Sequence, residues 1–330
     1  MNRRNSVFIC ALLVLSVVLV GTESTVAAQT DSAMPYYIIA IHCEPFPLQA
    51  IPENYVVLQE MVAYADAYDI KLTVMFTAQW ADYIAADPAR LAEAQGWMAN
   101  GHEIAAHHHS IFHSSWDNYT DFDPEAVEAA GFDYDYYQGS LDDYLDVLYQ
   151  VNPAVQSGCV NDEHSKQSMP DGIIYDMCSG FANFGEPGRR MGDDVAQKGI
   201  SEYITAGNVN GITRRWLTHF QIYQNPFAAI DIVNEMDSGV YGVATHAVRG
   251  QDQPLYIFMD FLHSRDPEGA MSRTTATAIE ESGLPEIELP DVVINGEFDV
   301  VRPRPDSPCG DGVCDDVEQA QPDLCPQDCD

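Results

Sequence analysis

Between residues 34 and 265 the apolar positions follow two alternating rhythms. "YYIIAIHCE" (36–44) is an apolar run rich in Ile and Tyr, long enough for one buried strand. "ENYVVLQEMVAYADAYD" (53–69) spaces its apolar residues as a helix does, and "KLTVMFT" (71–77) predicts a second buried strand. "DPARLAEAQGWMANG" (87–101) predicts a helix with Asp87 as N-cap, Pro88 in its first turn and Gly101 past its end. "HEIAAHHH" (102–109) predicts a third strand, and "SLDDYLDVLYQVN" (140–152) a helix capped by Ser140. Further on, "ITRRWLTHFQIYQ" (212–224) and "PFAAIDIVNEMDSG" (226–239) read as helices, the second stopped by Gly239. "VYGVATHA" (240–247) and "PLYIFMDFL" (254–262) read as strands. Strand and helix in series predict an α/β fold, a parallel sheet or barrel with helices outside. Chemistry in such folds sits at the C-terminal ends of the strands.

The pattern fades after residue 266. "LPEIELPDVVINGEFDVVRPRPDSP" (284–308) is rich in proline and acidic residues, so 266–308 reads as a linker. Residues 309–330 hold four of the eight cysteines, Cys309, Cys314, Cys325 and Cys329. In an exported chain this density predicts two disulfides, with three pairings open. Asp311, Asp315, Asp316 and Glu318 give that small module the oxygen donors for Ca²⁺. At the other end, Arg3 and Arg4 precede an apolar run over 7–20, and Val26 and Ala28 stand before a predicted cut at Gln29. Residues 1–28 therefore read as a secretory signal peptide, too short in its apolar run for a comfortable span, with a retained anchor as the alternative. The expected protein is secreted, extracellular or periplasmic, with no membrane association once the signal is removed.

Charge narrows the partners. Fifty-one acidic residues face fifteen basic ones, a formal net charge of −36. Such a field repels nucleic acid and anionic membranes. It fits a strongly hydrated surface suited to salty surroundings, or a calcium-rich or polycationic partner. With 46% hydrophobic residues the chain has material for a globular core, so the acidity does not predict disorder. Oligomeric state is not legible.

The candidate chemistry lies at three strand ends. "IAIHCEP" places His42 and Glu44 on one face of the first strand, with Cys43 on the other, before Pro45 stops it. Cys43 reads as a buried strand residue or as a disulfide partner of Cys159 or Cys178. "GHEIAAHHHSIFH" (101–113) holds five of the ten histidines. His107 and His109 share a strand face and His108 opposes them. His109 and His113 stand four apart, the spacing of a two-histidine metal clamp. His246 closes a late buried strand at the same sheet end. His102 is assigned to the turn.

These segments, in this order, resemble the NodB-type polysaccharide deacetylases, carbohydrate esterases built on an irregular (β/α) barrel. The resemblance spans about residues 34–265, and "GHEIAAHHHSIFH" is its most specific part. It implies a divalent metal, zinc first with cobalt or nickel as alternatives. The implied ligands are Glu44, His109 and His113, with His107 a further candidate. His246 falls in the place of the catalytic acid, and His42 where that family has an aspartate base. No arginine segment of the family type is found. Asp162 or Glu163 in "GCVNDEH" is the candidate carboxylate to orient a histidine base. The implied function is removal of acyl groups, N- or O-acetyl, from a polysaccharide or oligosaccharide.

Two alternatives stand beside it: a non-catalytic, metal-containing carbohydrate-binding relative, and a metal-dependent hydrolase of a non-sugar amide. Trp116 and Tyr119 read either as a sugar-stacking surface or as an ordinary aromatic loop. Arg214 and Arg215 read as helix-surface ion-pair residues or as holders of an anionic group.

Overall fold

A computed structural model describes residues 34–111, 115–129, 131–160, 170–178, 198–209 and 211–288. The first half runs β1 (Tyr36–Cys43), α1 (Ile51–Asp66), β2 (Leu72–Phe76), α2 (Ala78–Ala85), α3 (Pro88–Ala99), β3 (Glu103–His108), α4 (Pro124–Ala129), α5 (Leu141–Tyr149) and β4 (Ser157–Val160). It continues with β5 (Tyr175–Asp176), β6 (Ile200–Ser201), β7 (Ile204–Val209), β8 (Ile212–Trp216), β9 (Phe220–Gln221), α6 (Pro226–Glu235) and β10 (Val240–His246). Last come α7 (Asp252–Arg265), β11 (Ser272–Arg273), α8 (Thr275–Glu281) and β12 (Glu286–Glu288).

The strands make one sheet in the order β12-β7-β8-β5-β4-β3-β2-β1-β10-β6, with β11 also on β1 and β9 also on β10. Pairing is parallel except for β7 with β8 and β6 with β10. The path does not return to its start among the described residues, so the architecture is an irregular, open (β/α) barrel, the α/β class expected. Alternation sets the two faces. Tyr37, Ile39, Ile41 and Cys43 of β1 join the core shared with the helices. Ile38 and Ala40 join the inner cluster with Met75, Ala105, Val240 and Ala244. Ala278 and Ile279 of α8 also enter that inner cluster. Thr275 in the first turn of α8 donates from its backbone N–H to Thr73 Oγ1 at 2.9 Å, tying α8 to β2.

Several ends behave as their sequence predicts. The Asp87 carboxylate accepts from Ala89 N at the start of α3, and Gly101 takes φ +95° after its end. Ser140 and Asp143 form a reciprocal capping box on α5.

Three expectations need correction. Residues 212–224 are not a helix but β8, a turn and β9. Arg214 is consequently buried, donating to Pro170 O at 3.3 Å and pairing with Asp171 at 3.4 Å. Residues 254–262 are not a strand but the middle of α7. Past residue 265 the chain still builds the fold, because β11 pairs with β1 and β12 with β7. The signal segment 1–28, residues 289–308 and the cysteine-rich stretch 309–330 lie outside the described residues, as do His113, Asp162 and Glu163.

Candidate metal centre

β1 and β10 are parallel neighbours whose register sets His42 opposite His246. β3 lies one strand beyond β2, and its end carries His107 to the same inner side. The His42 and His107 rings stack at 4.4 Å between centroids and 25° between planes. Glu44 follows the end of β1. Its main chain is fixed by Trp80, whose Nε1 donates to Glu44 O at 2.8 Å, while Thr77 Oγ1 donates to Cys43 O at 3.1 Å.

Three imidazoles meet the Glu44 carboxylate. His107 Nε2 and His246 Nε2 each lie 3.2 Å from Oε1, and His109 Nε2 lies 3.3 Å from Oε2. The Nε2 atoms of His107 and His109 are 2.9 Å apart. His107 and His109 thus share a side, as strand alternation requires. His108 points the other way, with Nδ1 2.8 Å from the buried Asp117 carboxylate.

Outer partners orient two of these rings. His109 Nδ1 faces Ser115 O at 3.0 Å, and His246 Nδ1 faces Gln251 Oε1 at 2.8 Å. Both acceptors call for a proton on Nδ1, which leaves Nε2 with the lone pair in a neutral ring. Lone pairs of His109 and His246 turned toward a carboxylate, and two ring nitrogens in contact, repel one another unless protons or a cation stand between them. The donor set, one carboxylate oxygen and two or three imidazole nitrogens, suits a divalent transition ion. Glu44, His107 and His109 each offer one ligand atom, all within 4.8 Å of one another; Glu44, His42 and His246 do likewise.

Electrostatics follow from the same contacts. Burial works to raise the Glu44 pKa, but the charge of His109 and the bonds to His107 and His246 hold it well below the usual carboxylate range. Burial works against a charged His246, yet Glu44 and Gln251 raise its pKa overall. Burial pushes His42 well below the usual imidazole range, helped by His107, His219 and His246. Glu44 and His246 are about one-fifth exposed, at 22% and 20%, whereas His42 is closed off at 1%.

Below this centre the structure adds residues that sequence reasoning had not placed in it. Cys159 of β4 and Cys178 after β5 form a disulfide, so Cys43 is free, buried on the helix side of β1, with its thiol pKa raised by that burial. His219 turns inward from the loop between β8 and β9, its Nδ1 donating to Met177 O at 2.7 Å. Burial lowers the His219 pKa to about 4. His219 was hidden because its segment mimics helical spacing. Asp117 and Gln251 carry no sequence signal, being single polar residues in loops. Trp116 is buried with Ile111 and Val127 in a small cluster, which makes it a packing residue. His102 serves the turn, as expected: Nδ1 accepts from Leu72 N at 2.9 Å and Nε2 lies 3.0 Å from Asp66.

No protein-family model and no curated protein sequence matches the chain. Among solved structures the chain is similar to a 4-α-glucanotransferase from Thermococcus litoralis, with 11% identity and a TM-score of 0.48 over 80% of this chain and 42% of that one. It is also similar to a protein assigned as a polysaccharide deacetylase from Mycobacterium smegmatis, with 11% identity and a TM-score of 0.45 over 82% of this chain and 96% of that one. The chain spans less than half of the glucanotransferase. At these identities and TM-scores neither likeness carries a functional assignment, which rests on the site itself.

Proposed function

We propose that the chain is an exported, metal-dependent hydrolase that removes acyl groups, N- or O-acetyl, from a carbohydrate. The observation that carries this reading is the Glu44 carboxylate faced by the Nε2 atoms of His107, His109 and His246 within 3.3 Å. In this reading Glu44, His107 and His109 hold a divalent ion, zinc first with cobalt or nickel as alternatives. His113 is the further candidate donor from the segment outside the described residues. When bound, such an ion supplies Lewis acidity toward an acyl oxygen and makes water more acidic.

The chain's own residues divide the proton work. His42, kept neutral by burial, has a lone pair to accept a proton from attacking water. His246 is partly exposed, and although burial opposes its charge, Glu44 and Gln251 raise its pKa overall, which favours a proton at Nε2 for the departing amine or hydroxyl. Two histidines can serve opposite roles because their surroundings favour opposite protonation states. Gln251 holds the His246 ring through Nδ1.

A second reading follows from one observation. At 1% exposure, His42 is poorly placed to reach a substrate's water. This favours a non-catalytic, metal-containing carbohydrate-binding protein. Acetate release from an N-acetylated oligosaccharide separates the two. The hydrolase releases acetate, stops after chelation and resumes with Zn²⁺ or Co²⁺. A protein that binds one ion and retains the oligosaccharide without releasing acetate is the second kind. Wild type that purifies metal-free and takes up no Zn²⁺ or Co²⁺, or Glu44→Gln with undiminished metal content, defeats both.

A further inference from the structure

Beneath the Glu44 centre lies a second set of metal-binding side chains, which shares His42 and His107 with the hydrolase reading and adds His219, Cys159 and Cys178. His42, His219 and Cys178 offer ligand atoms within 4.8 Å of one another, and so do His42, His107 and Cys159. All five residues are buried, His219 the most exposed at 8%. His42 Nε2 and His107 Nδ1 are buried with no hydrogen-bond partner, a costly state for imidazole nitrogens shut away from water. The His42 ring stands edge-on to His219, with centroids 5.5 Å apart. The proton of His219 is on Nδ1, committed to Met177 O, so its Nε2 carries the lone pair. That lone pair now accepts from the Gln221 amide at 3.1 Å, a contact that a bound ion would displace.

We propose that His42, His219, Cys159 and Cys178 form a second, deeper metal site that opens when the Cys159–Cys178 disulfide is reduced. Two thiolates and two neutral imidazoles around a divalent ion sum to zero charge, which a buried cavity tolerates. The sulfur ligands select a soft or borderline ion, Zn²⁺ or Co²⁺, over Mg²⁺ or Ca²⁺. The chemistry balances with a dithiol as reductant. The dithiol gives two electrons and two protons, becomes a cyclic disulfide, and leaves Cys159 and Cys178 as thiols. The incoming divalent ion then displaces those two protons to solvent as two metal–sulfur bonds form. The fold already holds both cysteines in reach, with their Cα atoms 4.9 Å apart. This site is argued from its own residues and not from the hydrolase reading, but it takes His42, the base of that reading, so an ion bound here removes that base; His107 borders both centres.

The test is a cobalt titration of the full chain with Cys10, Cys309, Cys314, Cys325 and Cys329 changed to Ser, so that terminal cysteines contribute nothing. Oxidised protein is compared with protein reduced by a dithiol and freed of it anaerobically. Reduction should add one cobalt per chain and a thiolate-to-cobalt charge-transfer band in the near ultraviolet. His219→Gln should weaken that band's cobalt affinity by more than the roughly 10- to 100-fold typical of losing an outer-shell partner. Cys178→Ser should weaken the band by removing one of its two sulfur ligands, and the Cys159→Ser, Cys178→Ser double variant should abolish it. Glu44→Gln should keep the band while losing the upper ion, which separates this site's failure from that of the hydrolase reading. The proposal is overturned if the reduced chain takes no extra cobalt, or loses its far-ultraviolet circular dichroism before any ion binds. A band that persists in the Cys159→Ser, Cys178→Ser double variant would report Cys43 instead, and would overturn it equally.

Discussion

Asp117 accepts three hydrogen bonds on its carboxylate although it is buried: from His108 Nδ1 at 2.8 Å, His109 N at 3.1 Å and Tyr119 N at 3.2 Å. Its own backbone N–H returns to His109 O at 3.1 Å, closing the loop that follows β3. Asp117 therefore touches no ligand atom of the centre but sets the backbone from which His109 reaches Glu44. Truncation would strand buried donors, each at a cost of about 1–3 kcal/mol. Asp117→Ala is expected to lose about 3 kcal/mol or more in denaturant unfolding, and to weaken metal binding at Glu44 by roughly 10- to 100-fold. Asp117→Asn, which keeps one acceptor oxygen, should recover part of both. Metal affinity unchanged in Asp117→Ala would show that the loop is held by other contacts.

At the level of elements, two glycines make opposite forecasts. Gly242 lies in the middle of β10, where an added Cβ would meet Thr218 O at 2.2 Å. The obstacle is backbone, and it belongs to the segment that carries His219. Gly242→Ala should therefore destabilise by about 1–3 kcal/mol or somewhat more. Gly96 lies in α3 with open space around its Cβ position. Gly96→Ala should stabilise by about 0.4–1 kcal/mol, because the unfolded chain loses freedom and the helix loses none. Paired urea unfolding curves decide the matter, and equal shifts for the two variants would refute the packing argument. The same contrast explains what could be read from the chain. β1, β2, β3 and β10 are single apolar runs whose alternation alone fixes which side chains face inward, so Glu44, His107, His109 and His246 could be brought together from sequence. "PLYIFMDFL" misled because a short apolar run is common to buried strands and buried helices. "ITRRWLTHFQIYQ" misled because a strand, a turn and a second short strand happen to repeat Ile212, Trp216 and Phe220 at intervals of four. With that segment misread, His219 had no place. Asp117 and Gln251 act through loop geometry, which periodicity does not encode.

For the whole molecule, the governing quantity is the excess of carboxylates. With 51 acidic and 15 basic side chains, even complete pairing leaves most acids facing like charge. Four of the visible pairs, Arg90 with Asp87, Arg215 with Glu286, Arg249 with Glu60 and Arg273 with Glu281, are partly or largely exposed. Pairs of this kind contribute about 0–1 kcal/mol each. Salt weakens them, but it also screens repulsion over the whole surface. The Debye length falls from about 30 Å at 0.01 M to about 3 Å at 1 M. At the lower value the range of repulsion is comparable to the size of a domain, and at the higher it spans only touching neighbours. Repulsion acts more strongly in the folded chain, where the charges are closer together, so screening favours folding. The thermal midpoint should thus rise monotonically as NaCl increases from 0.01 to about 1 M. NaCl tests this better than a sulfate salt, which also strengthens apolar burial. The measurement should be made in the presence of a chelator, so that adventitious metal does not contribute by mass action. A midpoint that falls with salt would mean that the few ion pairs outweigh the net charge, and the acidic surface would then need a bound cationic partner to account for its stability.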